Sequence, residues 1–294
     1  MSADVARTRV AGTRSRGARS GRARAIPRGL LYLVAVGGAI IFVLPLFWTV
    51  IWSTWDTSGI FSFPPKFVPG GLFGRNLTDL GGSLDIWRVT LNSAVVTVVG
   101  TSGALFFCSL AGFAFAKYRF PGKTVFFYLL LATLAVPGQI TVVPLFVIML
   151  RLGWVNTYQG LIIPGLVPAF GVFLMRQSIE AAVPDEMLDA ARIDGARELR
   201  IFVRVVLPIL LPNLAALAIL LFAGSWNSLF WPLVMARTND MFTLPVALTA
   251  LLGQYSHPYG QVMVGSLITI VPPLVLFVAL QRYFVKGIVL GAIK

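Results

Sequence analysis

The chain has 294 residues, 57% of them hydrophobic and only 12% charged, with a mean hydropathy of +0.84. Soluble domains carry about 25% charged residues, so the composition excludes an ordinary soluble protein and places the chain among membrane proteins. The formal charge of +13 does not argue for nucleic acid: eight Arg lie between Arg7 and Arg28, directly before an apolar run, where the positive-inside rule places cytoplasmic tails.

In chain order, the basic tail of residues 1–29 leads into a first span at 30–52. That run is too long for the apolar region of a cleaved signal peptide, and no A-x-A site follows it. Five further spans are predicted at 90–116, 124–149, 158–179, 208–235 and 262–284, trimmed at turn residues from charge-free runs longer than the roughly 20 residues needed to cross a hydrocarbon core. The stretch from Arg237 to Gln261 carries turn and polar residues and reads as an extramembrane loop. Residues 285–294 form a C-terminal tail. With the N-terminus inside, the cytoplasmic segments hold 19 Lys and Arg and the outer segments 5. This asymmetry orients both termini and the 180–208 segment toward the cytoplasm. The expected architecture is an all-α integral membrane protein, with residues 30–284 as its six-helix domain.

The second span carries small residues at Gly100, Ala104, Cys108 and Gly112, a spacing that lets helices approach closely. Cys108, the only cysteine, excludes an intrachain disulfide. Pro137, Pro144, Pro164, Pro168, Pro272 and Pro273 interrupt helical hydrogen bonding, which a membrane tolerates where neighbours or a cavity satisfy the freed groups.

No Asp, Glu, His or Lys lies within the spans, which disfavours a proton- or ion-coupled carrier. No H-E-x-x-H or Cys/His cluster supports a metallohydrolase. "KYRFPGKT" at 117–124 fails as a P-loop because Lys117 stands where the first Gly is required. The chain is therefore expected to bind no cofactor and to catalyse nothing; if transport is ATP-driven, ATP and Mg belong to another subunit. Asn92, Gln139, Trp226 and Asn227, uncharged residues within the spans, are the candidates for a substrate pathway that suits an uncharged, hydroxyl-rich solute.

Between the fourth and fifth spans, "EAAVPDEMLDAARIDGARELRIFVRVVLP" (180–208) is the one charged, helix-like stretch. Pro184 can open a helix, Asp185 and Glu186 complement its positive end, and Gly195 can close it. A second helix follows, with Leu199, Phe202, Val203 and Val206 expected on one face. A helix of about three turns is marginal alone in water. Its acidic residues disfavour a headgroup binder, so it reads as a docking element, with a small-residue patch at Ala190 and Ala191.

The stretch resembles the EAA loop of ABC-importer permeases, E-A-A, three residues, Gly, nine residues, I-x-L-P. Asp189, Ala190, Ala191, Gly195, Val205, Leu207 and Pro208 match that spacing without a gap, with Asp for Glu and Val for Ile. The earlier "EAA" at Glu180 does not, since Glu186 stands at its Gly position. "FGVFLMRQ", "AARIDGA", "WNSLFWPL" and "QRYFVKGIVLGAIK" look most like the maltose-type, carbohydrate-importing branch.

The resemblance implies a permease that works with a sister permease, two ATP-binding subunits and an extracytoplasmic solute-binding protein in a bacterial cytoplasmic membrane. It implies ATPase-coupling roles for Asp189, Ala190, Ala191, Asp194, Gly195, Leu207 and Pro208, and a binding-protein contact for the loop from Arg237 to Gln261. A glycerol phosphodiester or an amino-acid-like solute is the alternative cargo, and a membrane-embedded lipid-modifying enzyme the alternative class.

Overall fold

A computed structural model describes residues 28–253 and 257–292. All of the basic tail but its last two residues lies outside them, as do Ile293 and Lys294. Among the described residues the structure is helical and without strands.

Packing divides the chain at Leu46. α1 (Arg28–Trp52) contains a 24-residue apolar stretch from Gly29 to Trp52. In the body that follows, α2 (Thr57–Ile60) and α3 (Phe73–Ser83) precede α4 (Ile86–Lys117), an unbroken helix of 32 residues and about 48 Å. Next come α5 (Lys123–Ala132), α6 (Gly138–Arg151), α7 (Tyr158–Ile162) and α8 (Ala169–Ala182). The charged segment forms α9 (Asp185–Ile193) and α10 (Glu198–Ile201), continuing through a π-helical turn at Phe202–Val206 into α11 (Leu207–Ile209) and α12 (Leu211–Trp226). α13 (Phe230–Met235), α14 (Leu244–Leu252) and α15 (Tyr259–Ala292) complete the chain. Most of the expected C-terminal tail thus continues the last helix.

Among the described residues, three helices are individually long and apolar enough to cross a membrane, and the number rises to as many as six if each of three bent pairs makes one crossing. Those pairs are where single spans were expected. The chain turns by 107° between α5 and α6, by 44° between the α7 segment and α8, and by 82° between α11 and α12. Proline supplies the cause, having no N–H to continue the ladder and a ring that clashes with the preceding turn. Pro137 (φ −59, ψ 126) and Pro168 (φ −67, ψ 131) stand immediately before α6 and α8, and Pro212 opens α12. The expected fifth span also ends early, at Trp226, with α13 separate. Pro144, Pro272 and Pro273, by contrast, sit within continuous helices. The Arg237–Gln261 stretch contains a packed helix: Leu244, Val246, Ala247 and Leu251 of α14 are buried.

Small residues draw α4 onto α8. A Cβ on Gly112 would meet the backbone nitrogen of Arg176 at 2.8 Å, and one on Gly171 would meet the Cys108 sulfur at 2.7 Å. Without water between the helices, such close van der Waals contact is what holds membrane helices together. Around it Phe113, Val172, Met175 and Ile179 join Leu188, Ile201, Phe202, Val206 and Leu210 in one buried cluster, so the charged loop is packed onto the body through its apolar side.

Candidate functional site

The helix α9 is assembled from local signals. Pro184 precedes it in extended geometry, and Asp185 and Glu186 occupy its first turn, where negative charge offsets the unsatisfied amides. Its end is closed by two backbone bonds, Ala196 N–H to Ala191 O and Gly195 N–H to Arg192 O, both 3.0 Å. This is the Schellman arrangement, which needs a left-handed residue after the cap. Gly195, at φ +77, supplies it. A side chain there would have open space around it, so it is the backbone conformation that demands glycine.

The motif residues separate into two groups. Leu188 is buried and Ala191 packs against the core cluster, whereas Met187, Ala190, Ile193 and Asp194 are exposed. The small-residue patch expected at Ala190 and Ala191 is therefore divided, Ala190 outward and Ala191 inward. Leu207 is half-buried against the same cluster and Pro208 is exposed. In the second helix the π-helical turn shifts the periodicity: Phe202 and Val206 are buried, while Leu199 and Val203 are exposed.

A polar chain crosses this loop. Arg192 Nη1 donates to Asp189 Oδ1 at 2.8 Å and Arg192 Nε to Glu198 Oε1 at 2.8 Å. The Tyr118 hydroxyl donates to Glu198 Oε2. Lys117 Nζ donates to Asp185 Oδ1 at 2.6 Å. The hydrogen bond and charge of Lys117 hold the Asp185 carboxyl below its ordinary range. Arg192 and then Tyr118 do the same for Glu198. Burial, then Glu198, push the Tyr118 hydroxyl up to about 12.

A cavity of about 410 Å³ lies between the broken helices, within the 300–1,000 Å³ range of small-molecule pockets. Gly100 and Thr101 of α4, Gly138 and Thr141 of α6, Pro164 and Pro168 beside α7 and α8, and Ser225, Ser228 and Trp231 line it, with no charged residue among the lining. The Thr101 hydroxyl is buried without a partner.

The sequence-chosen pathway residues do not line this cavity. Gln139 is exposed, between the lining residues Gly138 and Thr141. Asn92 is fully buried, donating to the carbonyls of Asp240 (2.7 Å) and Phe242 (2.9 Å) and accepting from the Tyr158 hydroxyl (2.6 Å). Trp226 is buried, its indole N–H donating to Thr269 O at 2.9 Å. Asn227 lines a second hollow, of about 580 Å³, with Thr249, Ser266 and Thr269. The lining of this cavity follows the small-residue spacing of α4 together with the proline breaks, rather than polarity alone. Among the described residues, no group of three or more His, Cys, Asp or Glu could hold a metal.

Helices broken at prolines around a neutral cavity, with a capped helical loop on the surface, define a helical membrane permease. The model for the binding-protein-dependent transport system inner membrane component matches residues 108–289, and the chain belongs to that family. It is 44% identical over 208 residues to the arabinooligosaccharides transport system permease protein AraQ of Halalkalibacterium halodurans, across 71% of this chain and 74% of that one. It is 34% identical to the lactose transport system permease protein LacG of Rhizobium radiobacter, across 92% and 98%. Identity to the sn-glycerol-3-phosphate transport system permease protein UgpE of Agrobacterium fabrum is 33%, across 90% and 97%. A chain in the crystal structure of a bacterial ABC transporter involved in the import of the acidic polysaccharide alginate superposes with a TM-score of 0.73 at 25% identity, covering 87% of this chain and 96% of that one. The protein is thus a transport permease that works within an ABC importer alongside other subunits, and not an enzyme.

Proposed function

We propose that this permease passes a sugar or short oligosaccharide, delivered by an extracytoplasmic solute-binding protein, inward across a bacterial cytoplasmic membrane. It pairs with a sister permease over two ATP-binding subunits that carry the ATP and Mg. Both termini and the loop from 180 to 208 lie on the cytoplasmic side. The exposed face of α9, with Met187, Ala190, Ile193 and Asp194, seats in an ATPase subunit; Asp189 and Ala191 hold that helix in shape, Gly195 closes it, and Leu207 and Pro208 lead it into the membrane.

The observation that carries the cargo reading is the neutral lining of the 410 Å³ cavity. Hydroxyl groups and an indole beside apolar walls match a sugar's alternating hydroxyl and C–H faces. Gln139 lies at its rim and Asn227 at the second hollow, on the same pathway, while Asn92 and Trp226 support it from behind. The similarity to the sn-glycerol-3-phosphate permease favours a second cargo, a glycerol phosphate. That cargo would require a cation, and none is among the residues lining this cavity.

The test is affinity purification of the tagged protein from native membranes in mild detergent, followed by screening of the co-purifying solute-binding protein against sugars and glycerol phosphates. Recovery of an ATP-binding subunit, with sugar binding, is the expected outcome; a chain that purifies alone overturns the assembly. In the same preparation Gly195→Asn should retain the ATPase, because Asn reaches the left-handed region. Gly195→Val should release it, since that conformation costs other L-residues roughly 1–2 kcal/mol.

A further inference from the structure

Two consecutive residues at one end of α4 hold both helices of the charged loop. Lys117, in the last turn of α4, is almost wholly buried, 9% of its side chain being exposed, and reaches the first turn of α9 through Asp185. Tyr118, the cap of α4, packs its ring edge-on against Phe113 at 5.3 Å and reaches the first turn of α10 through Glu198. Glu198 is in turn joined through Arg192 to Asp189. Apolar contacts such as those of Leu188 and Phe202 are non-directional; hydrogen-bonded charges fix orientation as well as distance. Two such contacts on two helices tie the orientation of the loop to that of α4.

The opposite end of α4 is held just as directly. Arg88 Nε donates to Asp240 O at 3.1 Å, Asn92 donates to Asp240 O and Phe242 O, and Ser93 Oγ accepts from Leu244 N–H at 2.7 Å. Between these ends, Val96, Gly100, Thr101 and Ala104 of the same unbroken helix line the 410 Å³ cavity. The bent pairs give way at their breaks, but α4 has none.

The geometry points to Lys117 and Tyr118 as the positioning residues through which motion of α9 reaches α4, and α4 as the rod that carries it past the cavity to the segment 240–244. This rests on the docking role given to α9 above. The Asp185 and Glu198 carboxylates are the receiving groups on the loop, and Asn92 the receiving group at the far end. Cutting the two contacts should leave ATP-driven movement of the loop intact while isolating the far segment from it.

The experiment uses the complex as purified, with single spin labels at Glu186→Cys on α9 and at Asn239→Cys beside the far segment, both exposed positions; Cys108, fully buried, is left in place. ATP, Mg and vanadate are added to trap the ATPase subunits. With α4 intact, both labels should change mobility. In Lys117→Met combined with Tyr118→Phe, the Glu186 label should still respond while the change at Asn239 falls on the order of tenfold. The charge exchange Lys117→Glu with Asp185→Lys should restore it, whereas Lys117→Glu alone should not. A full response at Asn239 in the Met/Phe variant, or equal losses at both labels, overturns the inference alone. If neither label responds in the unaltered complex, the docking role of α9 fails and the inference with it.

Discussion

Gly112 and Gly100 lie on the same stripe of α4 yet meet different surroundings. A Cβ at Gly112 would lie 2.8 Å from the backbone of α8, where nothing flexible can yield, while one at Gly100 would first meet the end of Ile162 at 4.0 Å. Gly112→Ala should therefore destabilise the purified protein by roughly 1–3 kcal/mol, the usual cost of overpacking, and Gly100→Ala should leave the unfolding temperature in detergent nearly unchanged. Equal shifts for the two would contradict the packing described. The spacing of the stripe is readable in the sequence, but which of its glycines is indispensable depends on how α8 approaches. Gly195 is the opposite case: its requirement is local, set by the left-handed turn that closes α9, and so the Ala191–Gly195 spacing is legible without knowing what lies nearby.

At the scale of the element, the charged loop is a small structure tied down by carboxylates, and pH tests it. Lys117 and Arg192 lower the folded-state pKa values of Asp185 and Glu198. A depressed carboxylate contributes stability above its unfolded pKa, about 3.9 for Asp and 4.3 for Glu, and loses it as pH falls through the lower folded value. A spin label at Ile193→Cys should accordingly keep constant mobility from pH 7 to about 5 and loosen below about 4. With Lys117→Met, the Asp185 share of this acid loosening should disappear, because a carboxylate with the same pKa folded and unfolded contributes no pH dependence. Loosening that starts near neutrality would point to other groups. Hydropathy anticipates the loop but hides the breaks in the spans on either side of it, since an apolar window averages across a bend. Proline is an ambiguous signal there: Pro137 stands at a 107° turn, while Pro144, seven residues on, lies inside a continuous helix.

For the whole molecule, charge asymmetry predicts an orientation, which labelling from either side of the membrane tests. Ile193 is 86% exposed on the charged loop and Phe63 94% exposed between α2 and α3. In sealed vesicles holding the permease without its ATPase subunits, a membrane-impermeant maleimide should reach Ile193→Cys only from the cytoplasmic side and Phe63→Cys only from the other. Labelling of both from one side would overturn the arrangement in which α4 connects two opposite surfaces.

Apolar runs, the excess of Lys and Arg on alternate segments, and the cap-to-glycine spacing of α9 are properties of residues close in the chain or of their sums. The sequence alone therefore determined membrane residence, a helical fold and the family to which the motif belongs. What a polar residue within a span does depends on which distant helix meets it. Asn92 reads as a pathway residue until the fold brings it to Asp240, 148 positions away, and buries every polar atom of its amide in hydrogen bonds. The neutral cavity and the grip of Lys117 and Tyr118 on the loop likewise arise where helices far apart in sequence converge, and only the tertiary structure decided them.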